Sequence, residues 1–235
     1  MFGGKVLVGG WRAVGERSSV VGRPVSSDLV RGVDMAWKLE KWMTDVFPGE
    51  SNIYSAYREL PFRELAIVSG AVLDLAMAEL ISLRLADYPK EVEAFLGLNK
   101  DGRAPVGTMG ARIQLALLLE ILTEEDAGVL RALKEVRNAF AHRVNVSFLS
   151  AEVQGHVQNL YRLLFERSER LRSKGLLKGS TSQLRMIKPH LSQSAEACAG
   201  LVLAVLAVYQ AYFHRIHGRV LRVGKSYAGG REVAL

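Results

Sequence analysis

Thr-Glu-Glu-Asp-Ala-Gly-Val-Leu-Arg-Ala-Leu-Lys-Glu-Val-Arg-Asn-Ala-Phe-Ala-His, residues 123–142, is the stretch that decides the fold class. Its first four residues form a capping box, with Thr123 as N-cap and Asp126 reaching back to it. Val129, Leu133, Val136 and Phe140 then recur three and four apart, the period of a helix with one apolar face.

The same period continues on both sides. Downstream, Ser150 is placed to cap a helix through Val153, Val157, Leu160 and Leu164 that ends near Gly175. A polar loop with Gly179, Ser180 and Ser182 follows, and a last long helix is expected from Pro189 or Ser192 to about His217, before Gly218. Upstream, 111–122 reads as a short helix and 97–110 as a loop with four glycines and a proline. Residues 62–86 carry Leu65, Val68, Val72, Leu75, Leu80 and Leu83 on a broad core stripe. Ser26-Ser27-Asp28 opens a further helical run that Pro48-Gly49 stops. No alternating strand pattern occurs after residue 25. The expected fold is all-α: a single bundle of about five or six helices over 26–217. A glycine-rich, disordered or loosely packed N-terminal arm over 1–25 and a basic C-terminal tail over 218–235 flank it.

Composition agrees with a globular chain. Of 235 residues, 49% are apolar and 23% charged, which excludes a wholly disordered or fibrous protein. Cys198 is the one cysteine, so no internal disulfide forms and a reducing, cytoplasmic setting is expected. The most apolar window, 197–208, holds about 12 residues against the roughly 20 of a spanning helix, so no membrane segment is expected. His214 and His217 lie three apart without a nearby carboxylate, so neither a metal nor another cofactor is expected.

Charge is unevenly spread. Residues 1–100 hold 12 Lys/Arg and 13 Asp/Glu, whereas residues 143–235 hold 14 Lys/Arg and 5 Asp/Glu. Such an excess is what a polyanion-binding face leaves in a sequence, and a solvated basic surface leaves it too. Arg162, Arg167, Arg170, Arg172 and Lys174 are the candidate nucleic-acid contacts, with Glu166 and Glu169 interleaved as ion-pair partners. Asp74 and Glu79, in an otherwise apolar helix, mark a buried polar contact.

Arg137, Asn138 and His142 are the candidate catalytic set. From composition, Arg-Asn followed by His at this spacing is expected about 0.01 times in such a chain. Asn138 and His142, four apart, share a helix face, while Arg137 stands about 140° around from His142. A neutral His can take a proton from a ribose 2′-hydroxyl, and an Arg can stabilise charge developing on a phosphate. The competing reading is structural: Arg137 and Asn138 pair within the bundle, and His142 sits at a helix C-terminus that favours positive charge.

Arg-Asn-x-x-x-His on a late helix resembles the signature of the HEPN superfamily. That likeness implies a metal-independent ribonuclease in which Arg137 and His142 act across a homodimer. A longer stretch, from about residue 62 to 142, resembles the mannitol operon repressor family. It includes Ser-Gly-Ala-Val-Leu-Asp at 69–74, Pro-Val-Gly-Thr-Met-Gly-Ala-Arg-Ile-Gln-Leu-Ala at 105–116 and Leu-Thr-Glu-Glu-Asp at 122–126. Leu-Lys-Glu-Val-Arg-Asn-Ala-Phe-Ala-His at 133–142 completes it. Residues 1–50 have no counterpart in that family. This second likeness implies a helical transcription regulator acting by protein, RNA or DNA contacts. The two likenesses are compatible, and the longer one favours the regulator.

Overall fold

A computed structural model describes residues 53–85, 88–98, 103–178 and 181–229. The arm expected over 1–25 and the helix expected after Ser26 lie outside the described residues. The described residues form eight α-helices and one 3-10 turn and contain no strand. In chain order these are α1 (Ile53–Glu59), α2 (Phe62–Ser82), α3 (Pro89–Leu96), α4 (Met109–Leu118) and α5 (Glu124–His142). They continue as α6 (Ala151–Ser173), α7 (Ser182–Ile187), the 3-10 turn Lys188–His190, and α8 (Ala195–Gly229).

The capping box is formed as its residue types dictate. Thr123 Oγ1 accepts from the Asp126 N–H, and Asp126 Oδ2 accepts from the Thr123 N–H at 3.0 Å. α4 starts two residues earlier than its apolar spacing suggests, because Thr108 caps it by accepting from the Ala111 N–H. It also stops earlier, at Leu118, where Glu120 turns the chain at φ 55°. A side chain in that left-handed region costs about 1–2 kcal/mol. The Ile121 and Leu122 N–H groups, both bonded to the Ala116 carbonyl, hold the turn closed.

α6 ends at Ser173, with Gly175 at φ +64° and the Leu176 N–H returning to the Leu171 carbonyl. Glycine takes that conformation without steric cost. Ser150 is the N-cap residue of α6, but its hydroxyl accepts from the Ser147 N–H instead of a helix N–H.

Three expectations are corrected. α8 begins at Ala195, where the Ser194 hydroxyl accepts from the Ala197 N–H, and Pro189 sits in the preceding 3-10 turn. α8 also passes Gly218 and continues to Gly229, so most of the expected tail is helical backbone. An isolated glycine costs a helix only about 1 kcal/mol, too little to end one this long. The short helices α1, α3 and α7 raise the count above five or six, because they are too brief to show a period.

α5 packs along α6, α2 packs against α4, α5 and α8, and α8 closes the bundle from behind. One continuous core results, with Leu73, Met77 and Ile81 from α2, Leu133 and Phe140 from α5, and Tyr209 from α8 fully buried. Phe140 meets Phe148 edge-to-face at 4.8 Å between ring centres, which ties the loop after α5 to the core. Among the described residues two helices are long and apolar enough to cross a membrane, 62–82 and 195–217, and 83% of the apolar window of the second is buried inside the bundle.

Candidate functional site

The chemistry-bearing residues gather in three places, two of them at opposite ends of α5. At its N-terminal end Asp126 is fully buried, and it serves two elements. It completes the cap, and it receives a forked contact from Arg167 of α6, with Nε 2.6 Å from Oδ1 and Nη2 2.8 Å from Oδ2. Arg167 Nη1 also reaches Glu125 at 3.0 Å, and Arg170 pairs with the same Glu125. The Tyr209 hydroxyl donates to Asp126 Oδ1 at 3.2 Å, and the Arg167 guanidinium lies over the Tyr212 ring.

Burial and the neighbouring Asp126 push the Tyr209 hydroxyl well above its ordinary range, and burial with Asp126 pushes Tyr212 up to about 12. Burial opposes the charge on Glu125, yet Arg170 and Arg167 outweigh it and hold that carboxyl below its ordinary range. This is a satisfied structural knot: each charge has a partner of matching geometry.

At the other end of α5 the candidate catalytic residues are placed differently. Arg137 and Asn138 are half-buried, whereas His142 is exposed on the last turn. Arg137 Nη1 lies 3.4 Å from its neighbour's Asn138 Oδ1, a long contact. The Arg137 stem runs across α2 at Gly70, where a methyl group would stand 3.0 Å from Arg137 Cγ and 3.3 Å from its Cβ. Any side chain at position 70 would have to displace the arginine stem by a few tenths of an ångström.

Asp74, one turn further along α2, pairs with the buried Arg112 of α4 at 2.7 Å. Arg112 in turn donates from Nε to the Val106 carbonyl and from Nη2 to the Leu96 carbonyl. It anchors the loop between α3 and α4, which explains the Ala-Arg-Ile segment. Burial raises the Asp74 carboxyl above its ordinary range, against the pull of Arg112 and of Arg137. Asp74 Oδ1 and Arg137 Nε are both buried without a protein hydrogen-bond partner. Leaving such a group unpaired costs about 1–3 kcal/mol, so charged groups are under-satisfied at this end, whereas Asp126 and Arg167 at the other end are fully matched.

The structure does not bring Arg137 and His142 of one chain together. Five residues apart, they are separated by about 7.5 Å along the helix axis and about 140° around it. The five candidate nucleic-acid contacts are also divided. Arg167 is inside the knot and Arg170 is held by Glu125. Arg172 lies 3.6 Å from Glu169, and Lys174 is exposed beyond the helix end. Arg162 lies 3.4 Å from Glu166 and lines a groove.

That groove, the third place, lies between α6 and the α7–3-10 segment, has a volume of about 440 Å³, and also contains Tyr161, Phe165, Arg185 and Lys188. Tyr161 and Phe165 stack at 5.9 Å with 18° between their planes. Sequence reasoning missed Arg185 and Lys188. The available signal was an aromatic pair four apart on α6, with two cations three apart on the segment after the loop that follows α6. Among the described residues no group of three His, Cys, Asp or Glu is placed to hold a metal. No protein-family model, no curated protein and no solved structure matches the chain.

Proposed function

We propose that this protein is a regulatory factor of the mannitol operon repressor type, a relative of the HEPN bundles, that acts through protein or nucleic-acid contacts of its helical surface. The observation that carries this reading is the placement of Arg137. Its stem is wedged against Gly70 and its charge acts on Asp74, so the half-buried arginine is held against α2. A phosphate-stabilising arginine has to present its planar fork to the ligand. The proposed factor is a cytoplasmic homodimer; the burial of most of both long apolar windows inside the bundle supports only the part of this reading that keeps those helices out of a membrane.

The second reading is a metal-independent endoribonuclease using Arg137 and His142 across a dimer. One observation favours it: His142 is exposed, one turn beyond Asn138 on the same face. Incubating the purified protein with mixed RNA in excess chelator separates the two. The regulator leaves the RNA intact. The nuclease yields 2′,3′-cyclic phosphate ends, and His142→Ala or Arg137→Ala lowers its rate about 10²–10⁴-fold. Arg137→Lys then rescues poorly, since an ammonium lacks the planar fork.

A further inference from the structure

The groove between α6 and the α7–3-10 segment is separate from both ends of α5 and has its own chemistry. Its floor is the Tyr161–Phe165 stack. Its wall is cationic: Arg185 lies over the Phe165 ring at 5.5 Å and Lys188 over the Tyr161 ring at 5.9 Å. Arg162 flanks the floor, so three cations face the single carboxylate Glu166 among the lining residues. Glu169 touches Arg185 from the next turn at 3.7 Å. The Arg185 side chain is nevertheless 66% exposed, so its guanidinium, 5.5 Å above the Phe165 ring, remains accessible to a ligand. The surrounding part of the chain, residues 143–235, has the excess of 14 Lys/Arg over 5 Asp/Glu.

We propose that this groove binds a short segment of single-stranded nucleic acid, with one base stacked on the Arg185 guanidinium over Phe165 and the adjoining phosphates on Lys188 and Arg162. This rests on the regulatory reading and gives it a ligand. A single strand fits because its bases are free to stack on aromatic or guanidinium planes. A duplex does not fit: its bases are already stacked, and a concave groove cannot enter a duplex groove as a protruding helix does. An acidic peptide satisfies the cations but leaves the flat stack unused. The volume of the groove lies within the range of about 300–1,000 Å³ typical of clefts that enclose a small organic group.

The test is fluorescence anisotropy of the full-length protein with labelled 12-nucleotide single strands of RNA and of DNA. The matching duplex and a polyglutamate peptide serve as comparators, all in excess chelator. The expected result is tighter binding of a single strand than of duplex or peptide, with a log–log salt slope of about −1.4 for the two phosphate contacts. Exposed Arg185→Ala should weaken binding by about 5- to 150-fold, as loss of one stacked base does. Arg185→Lys should restore little of it, because charge without a plane does not stack. Arg185→Glu with Lys188→Glu should abolish it.

Wild-type affinity in Arg185→Ala, or full rescue by Arg185→Lys, overturns the proposal. So does equal binding of polyglutamate that is lost in the same variants, or no binding of any single strand by the wild type. Cleavage of the labelled RNA in these samples is a separate readout. It overturns the regulatory reading and leaves the groove to be judged by the anisotropy alone.

Discussion

The two ends of α5 carry similar residues to opposite effect. At the N-terminal end Asp126, Glu125, Arg167 and Arg170 match one another, and the knot they form holds α5 to α6. At the C-terminal end Asp74, Arg112 and Arg137 leave two buried polar atoms without protein partners, and His142 points to solvent. The contrast shows why an arginine cannot be assigned to binding or to the core by its neighbours in sequence. Arg167 and Arg170 stand three apart on one helix, yet one is inside and the other half-exposed.

The largest expected effect comes from breaking the satisfied end. Arg167→Ala leaves Asp126 charged and buried, and should destabilise the fold by about 3–5 kcal/mol in a denaturant titration. Replacing Arg167 and Asp126 together with apolar residues should cost far less than the single change, since no unpaired charge remains. A loss below about 1 kcal/mol for Arg167→Ala would mean that the knot is not formed in solution.

A smaller effect is expected where Arg137 crosses α2. Gly70→Val should cost about 1–3 kcal/mol through overpacking, because the Arg137 Cβ belongs to α5 and cannot swing away. Adding Arg137→Ala to that variant removes the Cγ and Cδ contacts but keeps the Cβ, and should recover part of the loss, which a double-mutant cycle measures directly. Additive effects would mean that the two residues do not touch.

The acid limb distinguishes the ends by titration. Glu125 has a folded pKa below its ordinary 4.5, so its ionised form favours the fold. That contribution is complete above about pH 5 and fades as pH falls through the lowered value. Melting temperatures from pH 6 to pH 3 should fall less steeply in Glu125→Gln than in wild type. Asp74 acts in the opposite sense: its raised pKa means that protonation near and above 4 favours the folded state.

The smallest effect belongs to His142. It is exposed at the end of its helix, so His142→Ala should change stability by no more than about 0.5 kcal/mol. A larger loss would show that the imidazole has a structural role and weaken its candidacy for chemistry.

Much of this was legible in the chain. The Thr123–Asp126 box, the long apolar helix beginning at Phe62 and the glycine end of α6 are local signals between residues a few positions apart. α1, α3 and α7 were not legible, since 6–8 residues cannot display a period of 3.6. Asp74 stood out as a carboxylate in an apolar helix, but its partner Arg112 lies 38 positions away, in the segment read as a separate short helix over 111–122. The groove was half visible: Arg162 was noted, while Arg185 and Lys188 belong to a segment whose fold-back cannot be read from its own residues.

What the sequence determined by itself is the all-α architecture and most helix ends, because periodicity and capping act within a turn or two of chain. Tertiary structure decided which cations are buried and which remain open. Arg167 is inside because Asp126, 41 residues away, meets it with matching geometry, whereas Arg185, carried by α7 to 5.5 Å above the Phe165 ring, stays 66% exposed. Charge pairing depends on distance in space and on desolvation, and neither is set until the helices have packed.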